Sequence, residues 1–509
     1  MLLPILSIIL GVLAFQSLNL WPLGFIFLVP LFIFALKEQK FWRLIAGFFI
    51  FRIFLMLTTL YFALDPYIFL LSTLIFLGLP ITIFFIKKII NYCNVRFIKI
   101  YSFIIPNSLF IILPFLWTLF EYLQNQYSFL PMNIMTAGNI LGSSPFLGLV
   151  AVSGLNLLTF FAAIINALIA SFILKIKLDK KNIILNSLFI ILLIFSGWQI
   201  SQFQLQKNVL NYNSLPQTIK IGAVSTNDKF DEEFLVFKNN VFNDEEKALA
   251  DLMVKNALQP LKSDLEREKM DLLILPEDMI DIEIWNDADE KTFEKFNISN
   301  AGILIKNYGN LAKKLNSYLA ATFTTIRGDK RYNSALLFNR NGELVDVRDK
   351  SRLTIASEWW PFGNWRPFYY NWLLKIAPEL GKEDAFFDKN FQYATGKRKI
   401  LQSNNLKFAS LICLEIHYPY EVKKFKKMGA DFISHNSNSQ WVSVGSDKYM
   451  FLTNNLRKIE AVWLKTPIII NGGNEKAGVI TPDGKIQSVN FENKYNNKNY
   501  GIFIGEIKI

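Results

Sequence analysis

The chain is 509 residues long, 52% hydrophobic and 15% aromatic, and carries a formal charge of +12 from 54 Lys/Arg against 42 Asp/Glu. Two cysteines cannot build a disulfide framework, and with only two histidines and no Cys-x-x-Cys pair neither a metal centre nor another cofactor is expected. The positive balance does not point to nucleic acid, because most of it lies beside apolar segments in the first 200 residues and the remainder is dispersed over a mixed-sign region.

Residues 1–200 read as a polytopic membrane domain. A bilayer core requires roughly 18 to 25 apolar residues of a helix, and about seven such runs are predicted. They lie near Leu2–Leu18, Trp21–Leu36, Leu44–Leu64, Tyr67–Ile86, Phe103–Tyr122, Phe146–Leu174 and Ile183–Trp198. Of the 12 Lys/Arg here, 11 fall in three connections: Lys37, Lys40 and Arg43; Lys87, Lys88, Arg96 and Lys99; Lys175, Lys177, Lys180 and Lys181. The alternate connections, near Asn19, Asp65 and Glu121–Pro145, have none. Cytoplasmic loops collect positive charge, so the N-terminus and Cys93 are placed in the cytoplasm and everything after Trp198 outside, which keeps Cys93 from pairing with Cys413. The first run has no basic start or small-residue cleavage site and is read as a retained helix. Arg52, inside the third run, needs an internal partner or a lipid headgroup, unless it snorkels to the interface.

A polar connector is predicted over 201–217, followed by an α/β domain over 218–509. Its strand candidates are Ile219–Ser225, Asp271–Leu275, Leu319–Thr325, Ser334–Asn339, Leu406–Cys413, Phe432–Asn436, Pro467–Asn471, Gly478–Thr481 and Ile502–Ile507. Several are continuous apolar runs, as expected of strands covered on both faces. Asn341-Gly342 and Asp483-Gly484 signal hairpin turns, and helical stretches at Asp244–Asn256, Ala301–Ser317 and Asp447–Trp463 alternate with the strands. One α/β domain with a layered sheet core follows.

Three stretches carry ionisable groups where apolar strands end. Glu277 follows Asp271-Leu-Leu-Ile-Leu-Pro276, with the proline expected to stop the ladder; Lys350 follows a hairpin; Cys413 closes an apolar strand and is followed closely by Glu415. A carboxylate, an amine and a thiol converging at strand ends make coherent chemistry: the carboxylate takes the thiol proton, the thiolate attacks a carbonyl, and the ammonium stabilises the oxyanion. Solvated loop charges and an inert buried cysteine are the alternative reading of the same residues.

The motifs Leu275-Pro-Glu-Asp278, Asp349-Lys-Ser-Arg-Leu-Thr-Ile-Ala-Ser-Glu-Trp-Trp-Pro361 and Leu411-Ile-Cys-Leu-Glu-Ile-His-Tyr-Pro419 resemble the three catalytic boxes of the nitrilase superfamily. The spacing of Lys350, Leu353, Glu358 and Pro361 is similar to that of its membrane branch, the apolipoprotein N-acyltransferases. So are Leu18-Asn-Leu-Trp-Pro-Leu23, Asn438-Ser-Gln-Trp441 and Leu456-Arg-Lys-Ile-Glu460. The resemblance implies an αββα sandwich and a Glu277-Lys350-Cys413 triad in which Glu277 is the base, Cys413 the nucleophile and Lys350 the electrostatic partner. It places Glu358 and Glu415 in supporting positions. It also implies transfer of a fatty acyl chain from a phospholipid donor to the N-terminal amine of a lipidated apolipoprotein acceptor, at a bacterial inner membrane and on its periplasmic side. Trp359, Trp360, Trp365 and Trp441 are the candidates for lipid entry, since Trp favours the bilayer interface. The pattern departs at Leu414, where an aromatic is usual, at Ser439, where an aspartate is usual, and in a tail, Asn490–Ile509, without a last membrane helix. A membrane-anchored amidase or nitrilase-type hydrolase using water in place of the amine, and a catalytically decayed lipid-binding scaffold, are the other functions consistent with these residues.

Overall fold

The structure is a computed structural model that describes residues 1–59, 66–96, 104–127, 133–175, 180–226, 244–280, 295–299, 301–355, 358–360, 362, 365, 392–404, 406–439, 446–473, 475–488 and 500–509. Its first part is helical: α1 (Leu2–Ala14), α2 (Val29–Lys37), α3 (Phe41–Thr59), α4 (Pro66–Phe76), α5 (Gly78–Arg96), α6 (Ile104–Tyr127), α7 (Leu155–Lys175) and α8 (Lys180–Asn213). Among the described residues, four stretches are long and apolar enough to cross a membrane: Phe41–Thr59, Ser72–Ile90, Leu155–Leu174 and Ser187–Asn213. Polar side chains stitch the helices where they would otherwise leave backbone groups unpaired. Ser7 donates to Phe27 O at 2.7 Å and accepts from Leu31 N at 2.9 Å, while Asn166 accepts from Leu28 N and donates to Gly24 O.

Arg52 has the internal partner that its position demands. Its guanidinium donates to Gln124 Oε1 at 2.6 Å and lies over the Phe76 ring, and Gln124 in turn donates to Ser72, so three helices are joined at one buried point. The residues expected as a polar connector instead continue α8 as far as Asn213. Nothing breaks the helix before Pro216, and two residues seven apart, Ser201 and Asn208, face inward. Ser201 Oγ accepts from Gly148 N and donates to Pro145 O, whereas Asn208 Nδ2 donates to Val462 O and Pro482 O of the following domain. At 1.5 Å per residue α8 is roughly 50 Å long, well beyond a ~30 Å hydrocarbon core, so its upper turns form a strut between the two parts of the chain.

Among the described residues twelve strands follow: β1 (Thr218–Thr226), β2 (Leu272–Glu277), β3 (Tyr318–Arg327), β4 (Lys330–Phe338), β5 (Leu344–Asp349), β6 (Leu401–Ser403), β7 (Leu406–Ile412), β8 (Phe432–Asn438), β9 (Ile468–Gly473), β10 (Gly478–Ile480), β11 (Ile486–Ser488) and β12 (Tyr500–Lys508). The path β5-β4-β3-β2-β1-β9-β8-β7-β6, with β12 beside β1 and β10-β11 beside β9, has among the described residues a single pairing, Thr226 with Gly473, between its two halves. Those halves fold face to face. Ile221, Leu272, Ile274 and Leu337 of one meet Phe408, Ile412, Phe432 and Ile469 of the other in a common apolar core. Burying an aliphatic side chain of this size is worth about 1.5–3 kcal/mol, so the inner layer fixes the register of the two halves.

Helices α9 (Asp244–Leu265) and α10 (Gly302–Leu315) cover the outer face of the first half through Val254, Leu261, Leu304 and Leu311. On the second half α11 (Pro419–Lys427) and α12 (Ser446–Leu464) pack Phe425, Leu456 and Ile459 over Leu411, Ile433 and Ile470. The layers are αββα. The outer cluster of the second half runs on without interruption into Ile140, Leu141 and Leu147 of the membrane part.

Candidate active site

Strands β2, β5 and β7 run in the same direction and bring Glu277, Lys350 and Cys413 to one edge of the sandwich. Glu277 was expected beyond its strand, cut off by Pro276. It is the last strand residue instead: a register shift between Ile274 and Glu277 absorbs the proline, and Glu277 pairs with Thr322 of β3. A bulge re-aims a side chain without ending the strand, and here it leaves the carboxylate buried at the sheet edge.

Two donors hold that carboxylate. Asn333 Nδ2 donates to Oε1 at 2.8 Å and Asn438 N to Oε2 at 3.1 Å, with Lys350 Nζ 4.0 Å from Oε1. Burial pushes the Glu277 pKa above the ordinary carboxylate range, against the pull of Lys350 and these hydrogen bonds. Lys350 follows β5 and donates to Glu358 Oε1 at 2.9 Å. Burial disfavours its ammonium, but the Glu358 carboxylate and the charges of Cys413 and Glu277 raise its pKa above the usual lysine value. Glu358 is fixed in turn by Thr354 N at 2.7 Å and by the same Asn333 Nδ2 at 2.8 Å, so one amide spans both carboxylates.

Cys413 enters a tight 3-10 turn, Cys413–His417, with φ at 50°, the left-handed region that costs a non-glycine residue about 1–2 kcal/mol. Burial and the Glu277 charge raise its thiol pKa, while Lys350 and a hydrogen bond from Leu414 N lower it. The resting thiol is therefore protonated near neutrality.

Glu415 faces away from this cluster. Its carboxylate accepts from Arg348 Nη2 at 2.6 and 2.7 Å, from Ser351 N at 2.8 Å and Oγ at 2.7 Å, and from Ile412 N at 3.0 Å. Burial works against that carboxylate, yet Arg348 and the hydrogen bonds hold its pKa below the usual range. Glu415 thus ties the residue before Cys413 to Arg348 and Ser351, two residues before and one after Lys350. The end of the turn is held from the membrane side, where Asn133 Nδ2 donates to His417 O at 2.7 Å.

Two residues of this arrangement carried no sequence signal of their own, Asn333 and Arg348, whereas Asn438 opens one of the stretches that resemble the family. Among the aromatics, Trp360 is buried, stacks on Trp365 with centroids 6.4 Å apart and donates its Nε1 to Trp365 O at 2.8 Å. Trp359 is half-buried, Trp365 is exposed, and Trp441 lies outside the described residues. Leu414 is buried, and Ser439 sends its Oγ to Glu475 Oε1 at 3.4 Å. Among the described residues no group of three or more His, Cys, Asp or Glu side chains could hold a metal ion.

Residues 7–168 match the family described as apolipoprotein N-acyltransferase N-terminal domain, and residues 244–464 match carbon-nitrogen hydrolase. An apolipoprotein N-acyltransferase of Aquifex aeolicus is 23% identical over 380 residues, 74% of this chain and 72% of that protein. Apolipoprotein N-acyltransferase 2 of Treponema denticola is 26% identical over 165 residues, 32% of this chain and 30% of its own length. Among solved structures, a carbon-nitrogen hydrolase from Helicobacter pylori aligns with 57% of this chain and 89% of its own, at 14% identity and a TM-score of 0.36.

Proposed function

We propose that this chain, a membrane enzyme of the apolipoprotein N-acyltransferase family, transfers a fatty acyl chain from a phospholipid to the N-terminal α-amino group of a diacylglyceryl-cysteine apolipoprotein through a thioester on Cys413. The observation that carries this reading is the meeting of Glu277, Lys350 and Cys413 at one sheet edge, on a turn tethered to the membrane domain by Asn133.

The Glu277 carboxylate accepts the Cys413 proton as the sulfur attacks the ester carbonyl of the donor. Charge that develops on the carbonyl oxygen is stabilised by the Lys350 ammonium, which Glu358 keeps in place and charged. Collapse of the tetrahedral species breaks the ester C–O bond; the departing lysophospholipid oxygen takes the proton from Glu277 and the acyl group stays on sulfur. In the second half the acceptor amine attacks the thioester, Glu277 takes the amine proton, and the thiolate leaves and is reprotonated. Two half-reactions through one covalent intermediate imply ping-pong kinetics. With the N-terminus inside, by the distribution of basic residues, the catalytic domain stands on the periplasmic side of the inner membrane, where lipidated N-termini emerge.

Intact mass spectrometry of the purified protein after incubation with phospholipid tests the reading. One fatty acyl mass is expected, removed by hydroxylamine and absent in Cys413→Ser. An adduct that persists in that variant overturns the nucleophile. Donor consumption that continues without an amine acceptor reassigns the enzyme as a hydrolase, and an unlabelled thiol marks a non-catalytic scaffold.

A further inference from the structure

Behind the nucleophile turn lies a second buried polar cluster that the chemistry above does not use. His435, on the outer face of β8, approaches the carbonyl of Cys413 itself, with Nε2 2.7 Å from the oxygen. Its other nitrogen, Nδ1, faces Arg457 Nε at 2.9 Å, and a guanidinium can only donate. Nδ1 is therefore the acceptor, the ring is neutral, and Nε2 carries the hydrogen that it gives to Cys413 O. Burial first, and then the Arg457 charge, hold the imidazole pKa well below its usual value, so the ring has no tendency to change state. Arg457 is backed by Glu475, its Nη2 donating to Oε1 at 2.9 Å, and Glu475 is gripped by Ser437. His435, Arg457 and Glu475 are all buried.

The bond matters because of what it holds. Cys413 sits at φ 50° at the start of the 3-10 turn, and the His435 side chain reaches its carbonyl. A left-handed conformation at a residue with a side chain persists only where its surroundings over-determine it. Glu415 secures the N–H of Ile412, at the end of the strand that leads into Cys413, and His435 secures the carbonyl of Cys413 itself, so the chain is held before and after the residue that carries the sulfur.

We propose that His435, oriented by Arg457 and Glu475, is a positioning residue that latches Cys413 in its left-handed conformation and thereby aims Sγ at Glu277, Lys350 and the carbonyl under attack. The proposal rests on Cys413 being the acylated nucleophile. Misplacement of a reacting atom by about 1 Å costs on the order of 10²-fold in rate.

Two near-isosteric substitutions separate this role from general stability. The amide nitrogen of Gln reaches the place of imidazole Nε2, whereas an Asn side chain ends near Nδ1; its oxygen can still accept from Arg457, but its nitrogen falls short of Cys413 O. The assay is the burst of p-nitrophenolate from p-nitrophenyl palmitate, which reports acylation of Cys413 whatever the natural donor, run with the full-length protein in detergent beside thermal melting. His435→Asn is expected to lower the burst rate at saturating ester by about 10²-fold with KM within about threefold of wild type, and His435→Gln to return it to within about tenfold. A wild-type rate in His435→Asn, or a loss in His435→Gln as deep as in His435→Asn with melting unchanged, overturns the latch. No burst in the wild-type protein, or one that survives Cys413→Ser, overturns the nucleophile beneath it and the latch with it. A burst without acylation by phospholipid removes the proposed donor and leaves the latch standing.

Discussion

Glu277 and Lys350 fail differently when removed, because one holds a proton and the other a charge. In Glu277→Gln the proposed base is gone, an expected loss of about 10²–10⁴-fold near neutrality. Yet the same change removes a negative charge that pushes the Cys413 thiol up, so the thiol of the variant ionises at lower pH than that of the wild type. Its acylation rate should rise about tenfold per pH unit until that thiol is ionised, with hydroxide taking the place of the base. Lys350→Met has the opposite sign. It removes the cation that pulls the thiol pKa down, and it strips the charge partner from Glu358 at 2.9 Å and from Glu277 at 4.0 Å. A pair of charges 4 Å apart is worth ~4 kcal/mol at an effective dielectric of about 20, so one of the carboxyls takes up a proton and the base is weakened as well. Loss of the oxyanion partner alone is about 10²–10³-fold, and ionising the thiol cannot replace it. The assay is the single-turnover rate of acyl-Cys413 formation by quenched mass spectrometry from about pH 6 to about pH 9.5, a range that spans the free-thiol pKa. Recovery at high pH in Lys350→Met but not in Glu277→Gln would show that their roles are exchanged, and wild-type rates in both would remove them from the site.

Glu415→Gln leaves Arg348, which is fully buried, without its counter-charge, and should destabilise the fold by about 3–5 kcal/mol as read by thermal melting in detergent. The folded pKa of Glu415 is depressed, so its contribution is present above the unfolded value near ~4.3 and lost as pH falls through the folded one; the variant should lack that acid-side loss, and parallel melting curves would contradict this. For Glu277 the sign reverses: its raised pKa gives stability that is complete below the unfolded value near ~4.3 and lost as pH rises through the folded one, so Glu277→Gln should gain on the wild type as pH rises above ~4.3, and a constant difference would refute it. Arg52→Leu, which breaks the link from α3 to α6, should lower melting and yield while leaving alkylation of Cys413 intact; reduced alkylation at unchanged melting would tie that buried point to the site instead.

The strands with apolar runs were legible because each is covered on both faces, and the two hairpin turns are where Asn341-Gly342 and Asp483-Gly484 signalled them. β5 was not, although it delivers Lys350. Its sequence, Leu-Val-Asp-Val-Arg-Asp, carries charges where a covered strand would carry apolar residues, and each is paired with a residue distant in the sequence: Asp346 with Lys399, Arg348 with Glu415, Asp349 with Arg327. A pattern read along the chain sees only the cost of such groups, never the partner that offsets it. For the same reason Asn333 and His435 passed unnoticed. One is an amide and the other a lone imidazole, and each acquires its meaning from a carboxylate or a carbonyl at a distant point in the sequence. The end of α8 was misread for a simpler reason, since polar residues with good helix propensity look alike in a linker and in a strut.

The charges at the site give a reason for two carboxylates where the proposed proton transfer would use one. An ammonium cannot stay charged in a buried cleft without a counter-ion, and Glu358, 2.9 Å away, satisfies Lys350 at rest. Glu277 is then left as the carboxylate whose charge is in surplus, which is why the pull of Lys350 does not overcome the burial that raises its pKa. In the proposed reaction, passing the Cys413 proton to Glu277 would move that surplus from oxygen to sulfur and, on attack, from sulfur to the carbonyl oxygen. The net charge of the buried cluster is the same at every stage, so no ion has to be imported or solvated as the reaction proceeds, and Lys350 meets the migrating charge without having to move. Asn333, donating to both carboxylates at once, fixes the distance between the resting counter-ion and the base, and so decides how evenly Lys350 is shared between them.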